Sequence, residues 1–208
     1  TLEGITPFLD ALFTATSAVT VTGLIVVDTP TYWSVHGQFI IMILIFTGGL
    51  GIMTSATFLL IMIGQRLTLA NRLLMRESLG ESRLEGLIRL TIRIVLAVVG
   101  IQVVGTVVLF IRLLQEYTAS TAVWQAMFHA VSGFNNAGFV IFPNSESLSA
   151  FQQDYALLLT MTILIILGTL SYSVLLDIFG LRRFNRYTLD TKLVVIVTTG
   201  MLVLGTLV

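Results

Sequence analysis

The chain has 208 residues, of which 56% are apolar and only 11% carry a charge, against about a quarter charged in a typical soluble domain. Together with a mean hydropathy of +0.97, this predicts a membrane protein. The 11 basic and 11 acidic residues balance to zero, which predicts no nucleic-acid partner, and the absence of cysteine excludes disulfides and thiolate metal sites.

The first predicted element is a half-length membrane helix. The opening TLEGITPFLD has no signal-peptide pattern and no initiator Met, so we expect no signal peptide and a longer parent protein. Leu9 to Val19 can form about three helical turns, roughly half of the ~20 residues that span the hydrocarbon core. Thr20 to Gly23 is β-branched up to a glycine and favours extended backbone. A return to the membrane interface is predicted at Asp28, Pro30, Tyr32 and Trp33.

Longer apolar segments predict full membrane spans. Phe39 to Gly64 contains 26 residues without a charge, enough for a complete and tilted helix. In its middle, Gly48-Gly49-Leu50-Gly51 favours close helix packing, with a bend or hinge beside a pore as the alternative that the sequence leaves open. Further spans are predicted at Ile94 to Ile111, at Tyr155 to Leu176, and from Leu193 to Val208, which begins another.

One stretch of the chain occurs twice. Ala11 to Leu24, ALFTATSAVTVTGL, returns 115 residues later as Ala126 to Phe139, AMFHAVSGFNNAGF. Five pairs are identical: Ala11 and Ala126, Phe13 and Phe128, Ala15 and Ala130, Ser17 and Ser132, Gly23 and Gly138. With five extra residues in the second copy, Gly48 and Leu50 align with Gly168 and Leu170, and the basic junction at Arg66 aligns with that at Arg186. We interpret the unit as half-helix, loop, full helix and basic junction.

The charges predict which side each loop faces. Ten of the eleven basic residues fall in two loops, 66–93 and 182–192, which are therefore predicted to be cytoplasmic. The opposite side receives Arg112 as its only base, together with the acidic residues Glu3, Asp10, Asp28, Glu116, Glu146 and Asp154. Both half-helices and their glycine loops would then enter and leave by the outer face, as a re-entrant pore loop does.

The chemistry of such a loop suits a dehydrated cation. A half-helix that ends inside the membrane directs about half a negative charge at the cavity, and successive backbone carbonyls can replace the water shell of the ion. Glycine permits positive φ or close approach of neighbouring backbone. The predicted filter segments are Thr20-Val21-Thr22-Gly23 and Asn135-Asn136-Ala137-Gly138. The alternative for either segment alone is an ordinary turn between helices, which the repeat disfavours.

Other ionisable residues fit structural roles. His36 and His129 have no cysteine or carboxylate cluster nearby in sequence, so packing or a local hydrogen bond is favoured over metal ligation. Asp177 lies at the inner edge of its span, where snorkelling or pairing with Arg is favoured over a functional role. The sequence contains no catalytic grouping and no phosphate-binding glycine loop followed by Lys, so we predict that the protein is not an enzyme.

Several motifs carry a family resemblance. SAVTVTGLIVVDT, GGLG in the next span, FHAVSGFNNAGF, and RRF with the later TLDTKL resemble the membrane subunit of the Trk/Ktr/HKT potassium transporters, most closely that of the Ktr branch. The resemblance implies an all-α polytopic fold of fused potassium-channel-like units, each with an outer helix, a re-entrant pore loop and an inner helix. Residues 1–93 would be a first unit without its outer helix, 94–192 a second unit, and 193–208 the start of a third.

The resemblance also implies a site, an ion and partners. The filter glycines fall on Gly23 and Gly138, and the preceding carbonyl donors on Thr20, Val21 and Thr22 and on Asn135, Asn136 and Ala137. Potassium is the implied substrate, with sodium as a candidate coupling or activating ion and no covalently bound cofactor. The implied setting is the plasma membrane with its lipids, a homodimer, and a cytosolic ring of nucleotide-binding regulatory subunits.

Two alternatives to potassium uptake stay open at the sequence level. A sodium or weakly selective cation transporter would fit the departure of the second loop from the channel pattern, since two Asn stand where β-branched residues are typical. A non-conducting structural subunit would use both loops for packing only. We expect that the isolated 208-residue chain does not conduct, because the third and fourth filter loops of the family are absent from it.

Overall fold

The computed structural model describes residues 6–51, 87–143, 147–181 and 184–207. Within these ranges the chain is helical and contains no strand, as the predicted all-α class requires. The α-helices are α1 (Phe8–Val19), α2 (Thr29–Tyr32), α3 (Val35–Gly49), α4 (Leu87–Leu113), α5 (Ala119–Phe134), α6 (Tyr155–Thr169), α7 (Tyr172–Leu181) and α8 (Leu189–Leu207). Two 3-10 turns cover Leu148–Phe151 and Phe184–Arg186.

Within the described ranges, two helices are long and apolar enough to cross a membrane. They are Thr91–Leu113 within α4 and Leu189–Leu207, which is α8. The predicted span Ile94 to Ile111 lies inside α4, and the predicted start of a span at Leu193 lies inside α8. The 12 residues of α1 match the predicted half-helix.

The other two predicted spans are interrupted. α3 ends at Gly49, and Gly51 adopts a φ of 79° while its amide donates to the Gly48 carbonyl, as glycine does just after a helix end. The span predicted from Phe39 is therefore interrupted at Gly48–Gly51, where the sequence left a bend or hinge open, and its residues from 52 onward lie outside the described ranges. α6 likewise ends at Thr169, and two residues separate it from the start of α7 at Tyr172, so Tyr155 to Leu176 is not one helix.

The chain divides into two compact units, Thr1–Thr169 and Leu170–Val208. In the first unit α5 lies at the centre, with α3, α4 and α6 packed against it, and α1 packs on α3. A buried cluster joins the end of α1, α3, α5 and the chain after α5 through Ala18, Ile41, Met42, Ile45, Phe128, Val131, Ala137, Phe139 and Ile141. Trp124 of α5 donates from Nε1 to Gln38 Oε1 of α3 at 2.8 Å, which links the N-terminal halves of these two helices.

The second unit consists of α7 and α8, which pack on one another. The carboxylate of Asp177 on α7 accepts hydrogen bonds at the start of α8, from Thr191 Oγ1 (2.8 Å), Thr188 Oγ1 (3.0 Å) and the Thr188 amide (3.4 Å). An acidic group at a helix N-terminus is stabilised by the unpaired amides and the helix dipole there. Among the described residues the partners of Asp177 are thus Thr188 and Thr191, a structural role that differs from the predicted snorkelling or pairing with Arg.

Candidate functional site

The segment after α1 closes the helix with a Schellman pair of hydrogen bonds. The Val21 amide donates to the Ala18 carbonyl (3.3 Å), and the Thr22 amide donates to the Ser17 carbonyl (3.0 Å). This arrangement requires a left-handed residue just after the cap, which glycine usually supplies. Here Val21 has a φ of 56°, and Gly23 follows with 73°. Because valine is β-branched, its positive φ is a strained conformation that the surrounding contacts must hold.

The segment after α5 repeats this geometry residue for residue. The Asn136 amide donates to the Gly133 carbonyl (3.1 Å), and the Ala137 amide donates to the Ser132 carbonyl (2.8 Å). The φ angles of Asn136 and Gly138 are 58° and 73°. We call Thr20–Gly23 loop 1 and Asn135–Gly138 loop 2. The two loops thus share the helix ending, both closing hydrogen bonds and both left-handed positions.

The loop backbone is not the extended strand that its β-branched residues predicted. Thr20 has φ −86° and ψ −1°, and Asn135 has φ −80° and ψ 1°, so neither residue is extended. The next residue in each loop, Val21 or Asn136, is left-handed. The two closing hydrogen bonds are worth about 1 kcal/mol each and outweigh a β-propensity of at most about 1 kcal/mol. The helix ending, rather than the side-chain type, therefore sets the backbone at the start of each loop.

Loop 1 and loop 2 touch at their glycines. A Cβ added to Gly138 would lie 3.7 Å from the Cα of Gly23. A Cβ added to Gly23 would lie 3.4 Å from the Cα of Gly138 and would overlap the carbonyl oxygen of Ala137. Glycine at position 23 is thus required by its φ and by the close approach of loop 2. The structure therefore brings together two residue sets that lie 115 positions apart in the sequence.

Each loop is also seated against a glycine of the helix that follows it. A Cβ at Gly48 of α3 would overlap the Val19 carbonyl, the last of α1, and one at Gly168 of α6 would overlap the Phe134 carbonyl, the last of α5. These two contacts correspond under the sequence repeat. A Cβ at Gly49 would overlap the side-chain amide of Asn135 in loop 2. Close packing, the favoured interpretation of the Gly48-Gly49-Leu50-Gly51 cluster, is confirmed. The end of α3 at Gly49 lies within the same cluster.

The two loops differ in their surroundings. Asn135 and Ala137 are buried, whereas Thr20 and Thr22 are exposed. The Asn135 side chain donates from Nδ2 to the Val131 carbonyl at 2.9 Å. In loop 1 the Thr22 hydroxyl donates to Ser17 Oγ at 3.2 Å. Both loops therefore bond to their own helix, and loop 2 is the more deeply buried at its first and third residues, while Asn136 and Gly138 are exposed.

Three polar side chains of α5 hold the chain just after loop 2. Ser132 Oγ donates to the Phe139 carbonyl, and Gln125 Nε2 donates to the Ile141 carbonyl, both at 2.7 Å. His129 Nε2 accepts from the Ile141 amide (3.2 Å), so Nδ1 carries the proton and donates to the Gln125 carbonyl (2.7 Å). The local hydrogen bonding predicted for His129 is confirmed, whereas nothing in the sequence pointed to Gln125 and Ser132 as its companions.

The atoms that the loops offer to a ligand are neutral oxygens and amides. None of the eight loop residues is ionisable, and the described residues include no group of three His, Cys, Asp or Glu side chains that could hold a metal ion. Both α1 and α5 end at the loops, with the negative ends of their dipoles there. Neutral oxygens beside two helix C-termini suit a weakly hydrated monovalent cation better than an anion or a group that needs acid–base chemistry.

Residues 3–194 match the model of the TrkH family, described as a cation transport protein. The chain belongs to the TrkH family. It is 41% identical over 198 residues to Ktr system potassium uptake protein B of Bacillus subtilis, covering 95% of this chain and 43% of that protein. It is 39% identical over 200 residues to potassium/sodium uptake protein NtpJ of Enterococcus hirae, which covers 96% of this chain and 44% of that protein. It is 40% identical over 199 residues to Ktr system potassium uptake protein B of Vibrio alginolyticus, which covers 95% of this chain and 43% of that protein.

Membership of the TrkH family confirms the resemblance found in the sequence and places the chain in a membrane. The family and these relatives are transporters, so the prediction that the chain is not an enzyme is confirmed. The chain spans less than half the length of the curated relatives that it matches. The activity and partners of the whole protein are therefore matters for proposal.

Arg112, the one basic residue assigned to the outer side, forms ion pairs at the end of α4. Its Nη2 lies 2.8 Å from Glu116 Oε1, and its Nε lies 2.7 Å from Asp154 Oδ2. Asp154 Oδ1 also accepts from the Leu157 amide at 3.0 Å, in the first turn of α6. Arg112 therefore links the end of α4 to the start of α6, and its charge is compensated by two carboxylates.

Proposed function

We propose that this chain supplies two filter loops of a potassium uptake pore. The observation that carries the proposal is the contact between loop 1 and loop 2 at Gly23 and Gly138, made by two backbones with the same hydrogen bonds and the same left-handed positions. Two such loops meeting at glycines form adjacent walls around a narrow space. Backbone carbonyls around such a space can replace the hydration shell of a potassium ion.

In this proposal the ion contacts the backbone oxygens of both loops. Loop 1 contributes Thr20, Val21, Thr22 and Gly23, and loop 2 contributes Asn135, Asn136, Ala137 and Gly138. The names of the relatives support the ion, since each contains the words potassium uptake or potassium/sodium uptake. The neutral character of the loops supports a site that discriminates by the geometry and number of its oxygens rather than by charge.

The proposed architecture is a pair of pore-loop units. Residues 1–93 form the first, without an outer helix, residues 94–192 the second, and 193–208 begin a third. The repeated contacts of Gly48 with Val19 and of Gly168 with Phe134 support this division. Both loops would be re-entrant from the outer face of the plasma membrane, with the basic loops 66–93 and 182–192 in the cytoplasm.

The proposed partners follow from the relatives. Two of the relatives are named as protein B of a Ktr system, which supports a complex with a separate regulatory subunit. We propose a homodimer in the lipid membrane with a cytosolic ring of nucleotide-binding subunits on the side of the basic loops. Potassium would be the substrate, and sodium a coupling or activating ion.

A sodium-permeable transporter is the second candidate function. Two observations favour it: the name potassium/sodium uptake protein of the Enterococcus relative, and the Asn135-Asn136 pair, which makes loop 2 chemically different from loop 1. In that case the same eight residues would contact either ion. The two functions differ in how strongly sodium competes with potassium.

Uptake by the complete protein in cells that lack their own potassium transporters tests the proposal. We expect potassium uptake that excess sodium inhibits weakly. Gly23→Ala should reduce this selectivity more than Gly138→Ala, because a Cβ at 23 overlaps the Ala137 carbonyl whereas one at 138 stays at 3.7 Å from its nearest neighbour. Gly100→Ala on α4, with no atom within 4 Å of the added Cβ among the described residues, is the control. Equal selectivity in all four proteins would refute the filter assignment.

A further inference from the structure

The chain just after loop 1 and the chain just after loop 2 are held very differently. After loop 2, Phe139, Ile141 and Phe142 are buried, each with at most 2% of its surface exposed. After loop 1, Leu24 and Val26, the equivalents of Phe139 and Ile141, are 62% and 51% exposed, and Val27, the equivalent of Phe142, is partly buried. Only the second segment is bonded to its half-helix through side chains among the described residues.

We propose that His129, with Gln125 and Ser132, is a positioning set that fixes the glycine end of loop 2 and thereby sets ion discrimination in the pore. This inference rests on the proposed function. These buried side chains would not contact the ion themselves. They would hold in place the loop 2 backbone that contacts it.

Ser132 holds both sides of Gly138. Its carbonyl accepts from the Ala137 amide at 2.8 Å, and its hydroxyl donates to the Phe139 carbonyl at 2.7 Å. The residues before and after the glycine are therefore bound to one residue of α5. Because glycine itself allows a wide range of φ and ψ, this double attachment removes freedom that the glycine would otherwise have.

His129 and Gln125 hold the chain two residues further on. The amide of Ile141 donates to His129 Nε2 and its carbonyl accepts from Gln125 Nε2, while His129 Nδ1 donates to the Gln125 carbonyl. The His129 ring is also stacked on Phe142, with ring centroids 3.9 Å apart and planes at 14°. Both backbone groups of Ile141 are thus satisfied by side chains of α5, and the His129 ring is itself fixed by the backbone carbonyl of Gln125 and by Phe142, which restrains a segment without regular structure.

The equivalent positions around loop 1 lack this arrangement. Thr14 stands at the position of His129, and its buried hydroxyl has no hydrogen-bond partner in the described part of the chain. Ser17, the equivalent of Ser132, accepts from Thr22 inside loop 1. Asp10 stands at the position of Gln125. Loop 2 is therefore the more firmly held of the two loops in the proposed pore, and Gly23 of loop 1 packs against it.

Three substitutions separate positioning from bulk packing. His129→Phe keeps the ring and its stacking on Phe142 but leaves the Ile141 amide buried without an acceptor. His129→Gln offers a side-chain carbonyl to that amide. Thr14→Val, at the equivalent site in the first unit, is the matched control, since it removes a buried hydroxyl that bonds to no described residue.

The measurement is the ratio of potassium to sodium uptake by the complete protein, normalised to the amount in the membrane. We expect His129→Phe to lower the ratio about five- to tenfold, the effect of one unpaired buried donor, with His129→Gln and Thr14→Val within about twofold of wild type. A wild-type ratio in His129→Phe, or an equal loss in His129→Gln, overturns the inference and leaves the proposed function intact. If His129→Phe does not reach the membrane, Ser132→Ala is measured in its place. A lowered ratio then supports the inference, and a wild-type ratio overturns it. Wild-type protein without potassium preference refutes the proposed function itself.

Discussion

Loop 1 and loop 2 share a backbone and differ in almost everything around it. Both follow a half-helix, close it with the same two hydrogen bonds and place a glycine at φ 73° where they meet. α5 is packed against α3, α4 and α6, and Asn135 and Ala137 of loop 2 are buried, whereas α1 packs mainly on α3 and leaves Phe8, Leu9 and Leu12 at least half exposed. The comparison teaches that the helix ending and glycine contacts specify the loop shape, while the surrounding side chains decide how firmly it is held.

The largest expected effect comes from the contact that both units share. Gly48→Ala and Gly168→Ala would each place a methyl group on a helix-terminal carbonyl, Val19 in the first unit and Phe134 in the second. We expect each to destabilise the protein by about 3 kcal/mol, because backbone cannot move aside as a flexible side chain can. The measurement is thermal unfolding of the purified protein in one detergent.

Gly100→Ala is the matched control for both substitutions. No described atom lies within 4 Å of its added Cβ, and it sits in the interior of α4. Alanine there should be neutral or stabilising by about 0.5–1 kcal/mol. If Gly168→Ala unfolds at the same temperature as Gly100→Ala, the close seating of loop 2 on α6 is wrong and the equivalence of the two units fails with it.

A smaller effect is expected at the first residue of each loop. Asn135→Ala removes a buried side chain that donates to the Val131 carbonyl and lies against Gly49. We expect it to cost about 1–2 kcal/mol. Thr20→Ala removes an exposed hydroxyl bonded to the Thr16 carbonyl and should stay within about 0.5 kcal/mol of wild type.

The difference between these two variants measures how much more the structure depends on loop 2. Unfolding temperatures of both variants, recorded beside wild type in the same detergent, give the comparison directly. Equal shifts would mean that the burial of Asn135 against Gly49 of α3 adds nothing to the stability of loop 2. A larger shift for Thr20→Ala would reverse the order of the two loops.

Much of this site could be predicted because it depends on repeated local chemistry. The half-length of Leu9 to Val19, the glycine at the end of each polar tail and the offset of 115 residues identified both loops. The insertion of five residues correctly aligned Gly48 with Gly168, which make the same contact. Apolar composition alone indicated helices, since only helices and closed barrels satisfy backbone groups inside a membrane.

What the sequence could not predict depends on hydrogen bonds and contacts that override or lie outside local preference. The left-handed conformation of Val21 contradicts its local preference and arises from the helix-closing hydrogen bonds. The breaks after Gly49 and Thr169 fall inside charge-free runs, where hydropathy predicts one continuous span; only the first was offered as an alternative, from its glycine cluster. The attachment of Ile141 to His129 and Gln125 spans 12 and 16 residues and leaves no pattern in a single sequence.

The smallest expected effect concerns the left-handed residue itself, where the loops carry different side chains. Asn tolerates this conformation and valine does not, so Asn136→Val should destabilise the protein by about 1 kcal/mol. The reverse change, Val21→Asn, should give a smaller gain, because Val21 is partly buried against the core cluster and loses that packing.

Asn136→Gly separates backbone strain from the loss of the side chain. It removes the amide that donates to the Phe134 carbonyl at 3.3 Å but keeps a residue that adopts positive φ freely. We expect its unfolding temperature to lie near wild type and well above that of Asn136→Val. Should the glycine and valine variants unfold together, the amide and not the backbone would account for the loss. The strain at Val21 would then have no counterpart at position 136, and the shared backbone of the two loops would be held by different forces.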